Sequence, residues 1–274
     1  MTAITNAGSD RPQSPKSSQL IMVLAFSLLF LPLLTVMTLS FVEPLKDGTG
    51  NFRWSLIWYG KLLLNERVGE SLIRSLLIAT ATAIVAGFIG TCGAIAFQRG
   101  RFFGLTGLRI LAVLPLALPE LVLGLSSLLW FAVLRMTLGM HSMIAAHITF
   151  TVSYVLIIVL ARLKDLDRSL EDAAADLGAN QWQILYLVIW PNIRNAVFGG
   201  MMMAFVLSFD DFMISFFTTG VDSDTLPLML YSMIRFGLNK EIYALSSILV
   251  VMTLVTCISF RRMLFSVNRS TFSS

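Results

Sequence analysis

Six stretches of mainly apolar residues run about 20 to 42, 72 to 97, 108 to 134, 141 to 161, 193 to 219 and 242 to 260, each set off by a short polar interval. Crossing the hydrocarbon core of a bilayer takes about 20 such residues in a helix. The pattern therefore predicts an all-α membrane protein with about six transmembrane helices and no room for a separate soluble domain. An even number of spans puts both termini on one side. The chain opens with a polar tail, residues 1–18, rich in Ser and Pro and expected to be disordered. The membrane domain is expected over 19–265, with a short tail over 266–274. The first apolar run continues past Phe41, too long for a signal-peptide core, and no small-residue cleavage site follows it, so it counts as a span.

Composition agrees with the pattern: 56% of the 274 residues are hydrophobic, only 13% are charged, and the mean hydropathy is +0.79. Basic residues set the orientation. With cytoplasmic termini the inner side collects Arg11, Lys16, Arg99, Arg101, Arg109, Arg162, Lys164, Arg168, Arg194, Arg261, Arg262 and Arg269, a majority of the 20 Lys and Arg. The bias is moderate, because the first outer loop, 43–71, holds Lys46, Arg53, Lys61 and Arg67. That loop also carries Trp54, Trp58 and Tyr59, suited to a membrane interface or to the landing surface of a soluble protein.

One polar interval, 163–191, has a pattern of its own. Ser169 with Asp172 three residues on reads as a capping box opening a short helix, and Gly178 as its left-handed stop. Asn180 can cap a second helix in which Trp182, Leu185, Tyr186 and Ile189 form one apolar face, until Pro191 marks a bend into the next span. The expectation is helix, tight turn, helix on the cytoplasmic side.

Asp172-Ala173-Ala174, Gly178 and the closing Val188-Ile189-Trp190-Pro191 resemble the loop that marks integral-membrane subunits of ATP-driven, binding-protein-dependent importers: Glu-Ala-Ala, three residues, Gly, nine residues, Ile-x-Leu-Pro. Asp172 stands for Glu, Val188 for Ile and Trp190 for Leu. The resemblance implies the type I, MetI-like permease fold of ABC importers, with Asp172, Ala173, Ala174, Gly178 and Pro191 forming the unit that docks on a separate ATPase. The alternative is an ordinary amphipathic connector.

Inside the spans, three features stand out. Gly87, Gly90 and Gly93 recur every third residue, a signal for close helix packing. Glu120 follows Pro115 and Pro119; a charge near the bilayer centre costs about 2.5–3.5 kcal/mol on insertion scales, so it faces a wet interior or pairs at the interface. Asp210 and Asp211 sit in Ser208-Phe209-Asp210-Asp211-Phe212 with no basic neighbour in that span. Successive helical residues point about 100° apart, so one carboxylate can face a pathway while the other caps or pairs. Glu120, Asp210 and Asp211 beside Phe209 and Phe212 suit a multiply charged organic cation, held by ion pairing and cation–π contact.

The stretch from Ser208 to Phe212, then Phe216-Phe217-Thr218-Thr219-Gly220, Thr225-Leu226-Pro227-Leu228, Tyr231 to Gly237 and His147-Ile148-Thr149-Phe150 resemble the second membrane subunit of spermidine/putrescine importers. Val221-Asp222-Ser223-Asp224 departs from that family's Gly-Pro-rich turn. The resemblance implies a multi-pass permease of the bacterial inner membrane, translocating putrescine or spermidine between itself and a homologous permease subunit. Two ATPase subunits and a periplasmic substrate-binding protein would complete the assembly, with ATP and magnesium held by the ATPase chains and no cofactor or nucleic acid bound by this one. Permeases for iron, thiamine or phosphonate, and a carrier independent of ATP, are the alternatives. An enzymatic reading has no support: Lys16-Ser17, preceded by Pro15, is no phosphate loop. His141 and His147 are not on one helical face, and Cys92 and Cys257 lie in separate spans, so a satisfied buried histidine is expected in place of a metal site.

Overall fold

The computed structural model describes residues 15–44, 51–100, 103–236 and 240–270. Its elements run α1 (Pro15–Leu39), a hairpin of β1 (Val42–Pro44) and β2 (Phe52–Trp54), α2 (Ile57–Leu63), α3 (Glu66–Arg99), α4 (Leu105–Val113), α5 (Glu120–Val133), α6 (Met140–Lys164), α7 (Ser169–Asp176), α8 (Gln181–Gln183), α9 (Trp190–Asp210), α10 (Met213–Thr218), α11 (Leu226–Phe236) and α12 (Glu241–Ser270). Of the expected tails, residues 1–14 and 271–274 lie outside the described residues; α1 already begins at Pro15 and α12 continues to Ser270.

All six apolar stretches are helical, but they are not six straight rods. Among the described residues, Gln19–Leu39, Glu66–Arg99 and Met140–Lys164 are long and apolar enough to cross a membrane unaided. The third expected span is two helices, Leu105–Leu116 and Glu120–Val133, bent by 109°. Pro119 has no N–H to offer the carbonyl four residues back, so the helix stops and restarts there. The fifth is also divided, α9 ending at Asp210 and α10 beginning at Met213. Asn192, Arg194 and Asn195 at one end of α9 and Asp210 at the other dilute its apolar character. In the sixth, the apolar part is Glu241–Val255.

The core is a bundle of α3, α6 and α9, where Ala83, Ala86, Ala94, Val155, Val159, Ile193 and Ala204 are buried together. The glycines explain how closely these helices approach. A Cβ added to Gly90 would lie 2.7 Å from Val155 Cβ and 3.1 Å from the Leu156 backbone nitrogen, and one at Gly200 would lie 3.1 Å from Val155 Cγ1. Val155 of α6 is thus held between a glycine of α3 and a glycine of α9. The three atoms nearest a Cβ at Gly87 all belong to the Met201 side chain, with Cγ at 2.5 Å. Because methionine is unbranched and repacks more readily than a β-branched valine held by backbone, Gly87→Ala is expected to cost less than Gly90→Ala. Gly90→Ala should destabilise by about 1–3 kcal/mol through overpacking. Thermal unfolding of the detergent-solubilised protein checks this, and equal midpoints for the two variants would show that the Val155 contact has slack.

A second cluster joins Leu62 of α2, Ala79 of α3, Phe209, Leu226 and Leu245. Here the aromatics of the 43–71 loop find partners: Trp58 Nε1 donates to the Val42 carbonyl at 3.0 Å, and the Tyr59 hydroxyl lies 2.8 Å from Ser40 Oγ. Trp54 stays exposed. Residues 45–50 of that loop lie outside the described residues.

Candidate substrate pathway and coupling loop

The division of α9 from α10 is built from side chains. Asp211 leaves the helix with extended backbone, φ −68° and ψ 128°, and its carboxylate accepts the backbone N–H of Ser215 at 2.8 Å and that of Ile214 at 3.4 Å. It therefore caps α10. Its Oδ2 also lies 3.2 Å from Nε2 of His147, which is wholly buried in α6. The other ring nitrogen, Nδ1, lies 2.7 Å from Ser208 Oγ, and Nε2 lies 3.1 Å from Ser215 Oγ. At the far end of α10, Ser142 of α6 donates to the Thr218 carbonyl at 2.8 Å. On its other side α10 meets α5, where a Cβ on Gly124 would fall 3.1 Å from the Met213 carbonyl.

The residues singled out in the sequence are thereby sorted. Asp211 is taken up by capping and by His147. Phe209 is buried, stacked on Phe205 at 6.0 Å, and belongs to the second core cluster. Asp210 is different: it is exposed, and its carboxylate has no hydrogen bond or ion pair among the described residues. Phe212, two residues on, is half-buried in an aromatic group, with ring centroids 5.0 Å from Tyr231 and 5.6 Å from Phe216. Glu120 is the first residue of α5, exposed and likewise unpaired among the described residues. A helix N-terminus favours negative charge, and Glu120 lies one turn before the glycine that lets α10 approach. Among the described residues, two unpaired carboxylates thus stand on elements that adjoin α10, Glu120 at the start of α5 and Asp210 at the end of α9, and α10 carries part of the aromatic group. That arrangement suits cations and disfavours anions.

In the loop, Gly178 is left-handed, with φ +84°. Ala179 N–H donates to the Ala174 carbonyl and Gly178 N–H to that of Ala175, the paired bonds of a Schellman stop. Asn180 and Gln183 cap each other reciprocally at 2.9 and 2.8 Å. The expected cap at Ser169 is corrected: Ser169 is the first helical residue, and Asp167 Oδ1 accepts its N–H at 2.9 Å. That bond, followed by one from the Ser169 hydroxyl, holds the Asp167 carboxyl below its usual range. The bend at Pro191 is also corrected. Residues 184–189 form a π-helical turn, in which Trp190 N–H reaches the Leu185 carbonyl, and the helix runs on through Pro191 into α9. A wider turn before it gives the Pro191 ring room against the preceding carbonyls. It also divides the expected apolar face: Ile189 is buried and Leu185 half-buried, while Trp182 and Tyr186 are exposed along an apolar groove of about 470 Å³ shared with Ile84 and Phe88.

Ala173 and Leu177 are exposed, leaving the surface of α7 open to close approach. Asp172 lines a polar cavity of about 350 Å³ with Gln98, Arg99, Arg168 and Glu171. Glu171, which the sequence did not bring forward, pairs with Arg99 at 2.6 Å and ties α7 to the end of α3. His147 was likewise not singled out as a site residue. Its signal was the spacing of Ser208, Asp211 and Ser215, three polar residues recurring three and four apart inside an apolar stretch.

Residues 83–272 match the family described as binding-protein-dependent transport system inner membrane component. The chain is 37% identical over 236 residues to the putrescine transport system permease protein PotI of Escherichia coli strain K12, with 84% of each chain covered. It is 34% identical over 238 residues to the spermidine/putrescine transport system permease protein PotC of the same strain, covering 87% of this chain and 90% of that one. Among solved structures, it resembles a bacterial ABC transporter involved in the import of the acidic polysaccharide alginate, with a TM-score of 0.67 at 13% identity over 90% of this chain and 94% of that one. At that identity the likeness concerns the fold.

Proposed function

We propose that this chain, which belongs to the family of inner membrane components of binding-protein-dependent transport systems, carries putrescine or spermidine across the bacterial inner membrane. It is a multi-pass transport subunit and not an enzyme; in this family ATP is hydrolysed by separate ATPase subunits, and a substrate-binding protein delivers the solute. The polyamine reading rests on one observation above the others, the exposed carboxylate of Asp210, unpaired among the described residues and two positions before Phe212, whose ring packs with Phe216 and Tyr231. The names of the PotI and PotC relatives support the same solute. A flexible polycation can exchange an ammonium between a carboxylate and an aromatic face without any site holding it fast.

In this reading a homologous permease forms the other wall of the passage, both termini are cytoplasmic, and the loop at 163–191 faces two ATPase subunits. Ala173, Ala174 and Leu177 supply the docking surface, and Asp172 stands where a charge can meet the partner. Nucleotide binding draws the loops together. The expected result is ATP-dependent uptake of labelled putrescine and spermidine by cells expressing the assembled complex, without competition from ferric iron, thiamine or phosphonate. Uptake of one of those solutes in place of polyamine would overturn the substrate, and uptake without the ATPase would overturn the importer.

A further inference from the structure

The buried histidine of α6 has more contacts than packing requires. His147 is 0% exposed, and its ring reaches three side chains spread over two turns of chain: Ser208 in the last turn of α9, Asp211 at the break, and Ser215 in the first turn of α10. Those three straddle the point where the helix stops and restarts. We propose that His147 is a positioning residue for transport, fastening the break between α9 and α10 so that Asp210 is presented to the passage. This rests on the reading of Asp210 as part of that passage.

The proton count fits a fixed geometry. Asp211 Oδ2 already accepts the Ser215 N–H, and an ionised carboxylate has further acceptor capacity, so the His147 Nε2–H donates to it. Nδ1 is then unprotonated and accepts from the Ser208 hydroxyl. In this arrangement the buried carboxylate is met by two backbone N–H groups and one imidazole, and no ring nitrogen lacks a partner. A buried charge is costly unless its neighbours satisfy it. Without the ring, Asp211 keeps only the cap, and one more turn of α9 becomes a competitor for the present break.

Such a change matters because of direction. Asp210 is the last residue of α9, and each residue added or removed before a helix end rotates the next segment by about 100°. Among the described residues, Asp210 is itself bonded to nothing that could hold its side chain. The Ser142 bond to Thr218 fixes only the far end of α10. His147 therefore governs where the carboxylate points while remaining out of contact with the solute.

The test uses the complete transporter with its ATPase and binding protein, and reads initial polyamine uptake together with co-purification of the ATPase. His147→Leu is expected to lower uptake about tenfold, equivalent to about 1.4 kcal/mol, with co-purification unchanged. His147→Gln, whose amide can donate to Asp211, should recover at least about a third of wild-type uptake. Asp210→Glu supplies the cycle, since it keeps the charge and leaves uptake measurable. If His147 acts through Asp210, His147→Leu combined with Asp210→Glu transports about as well as the worse single variant. Multiplying losses in the double variant would overturn the proposal, as would wild-type uptake by His147→Leu. Where His147→Leu fails to assemble, His147→Gln with Asp210→Glu reads the same coupling. Wild-type uptake by Asp210→Asn would instead remove the passage reading itself, leaving the two failures distinguishable.

Discussion

Asp210→Asn is expected to reduce initial polyamine uptake by about tenfold or more, with the subunit still assembling with its ATPase. The substitution keeps volume and removes one negative charge from an exposed carboxylate that no neighbour uses. It breaks no ion pair or cap among the described residues. On the proposed passage role, losing one favourable charge contact with the solute corresponds to about 1.4 kcal/mol per tenfold in rate. Asp211→Asn is the contrasting variant: it weakens a buried cap held at 2.8 Å and a contact to His147, so it should lower thermal stability as well as uptake. Measuring both quantities in both variants separates the two acids. Equal loss of stability in the two, or normal uptake by Asp210→Asn, would show that the neighbouring carboxylates share one structural task.

Gly178→Val carries the second large effect. A side chain at this position meets nothing within 4 Å, so there is no clash to relieve. The cost is conformational: at φ +84° an L-residue is disfavoured by about 1–2 kcal/mol, and a β-branched one is least able to comply. The strain falls on the Schellman turn that sets the angle between α7 and the helix beginning at Gln181. Uptake should fall at least about fivefold, with ATP hydrolysis no longer following the supply of loaded binding protein. Gly178→Asn, which tolerates the left-handed region, should retain most activity. Coupled transport at the normal rate in the valine variant would mean that the turn carries no force.

Much of the fold and of the candidate site is legible in local chemistry. Gly178, the Asn180 cap, the glycine row of α3 and the interruption around Pro119 all depend on neighbours within a few residues. So does the capping of α10 by one of two adjacent acids, Asp211. What escapes is long-range or geometric. His147 finds its partners 61 and 68 residues away, a distance at which an apolar stretch gives no register. Arg99 and Glu171 meet only because α3 and α7 end together. The 109° bend between α4 and α5 depends on packing, since proline signals a break without its angle. Ser169 loses its expected role because Asp167, two residues earlier, reaches the same backbone with a charged acceptor.

The unbroken passage of helix through Pro191 has a mechanical meaning. From Trp190 to Asp210 the backbone is 21 residues of continuous α-helix, about 30 Å of stiff rod at 1.5 Å per residue. With Val155 wedged between Gly90 and Gly200, that rod cannot slide against its neighbours by small amounts. A displacement of the 163–191 loop is therefore passed undiminished to the far tip at Asp210. Because Asp211 just beyond it is bonded to His147 of α6 and to the first turn of α10, that movement is carried on into both helices rather than lost at the break.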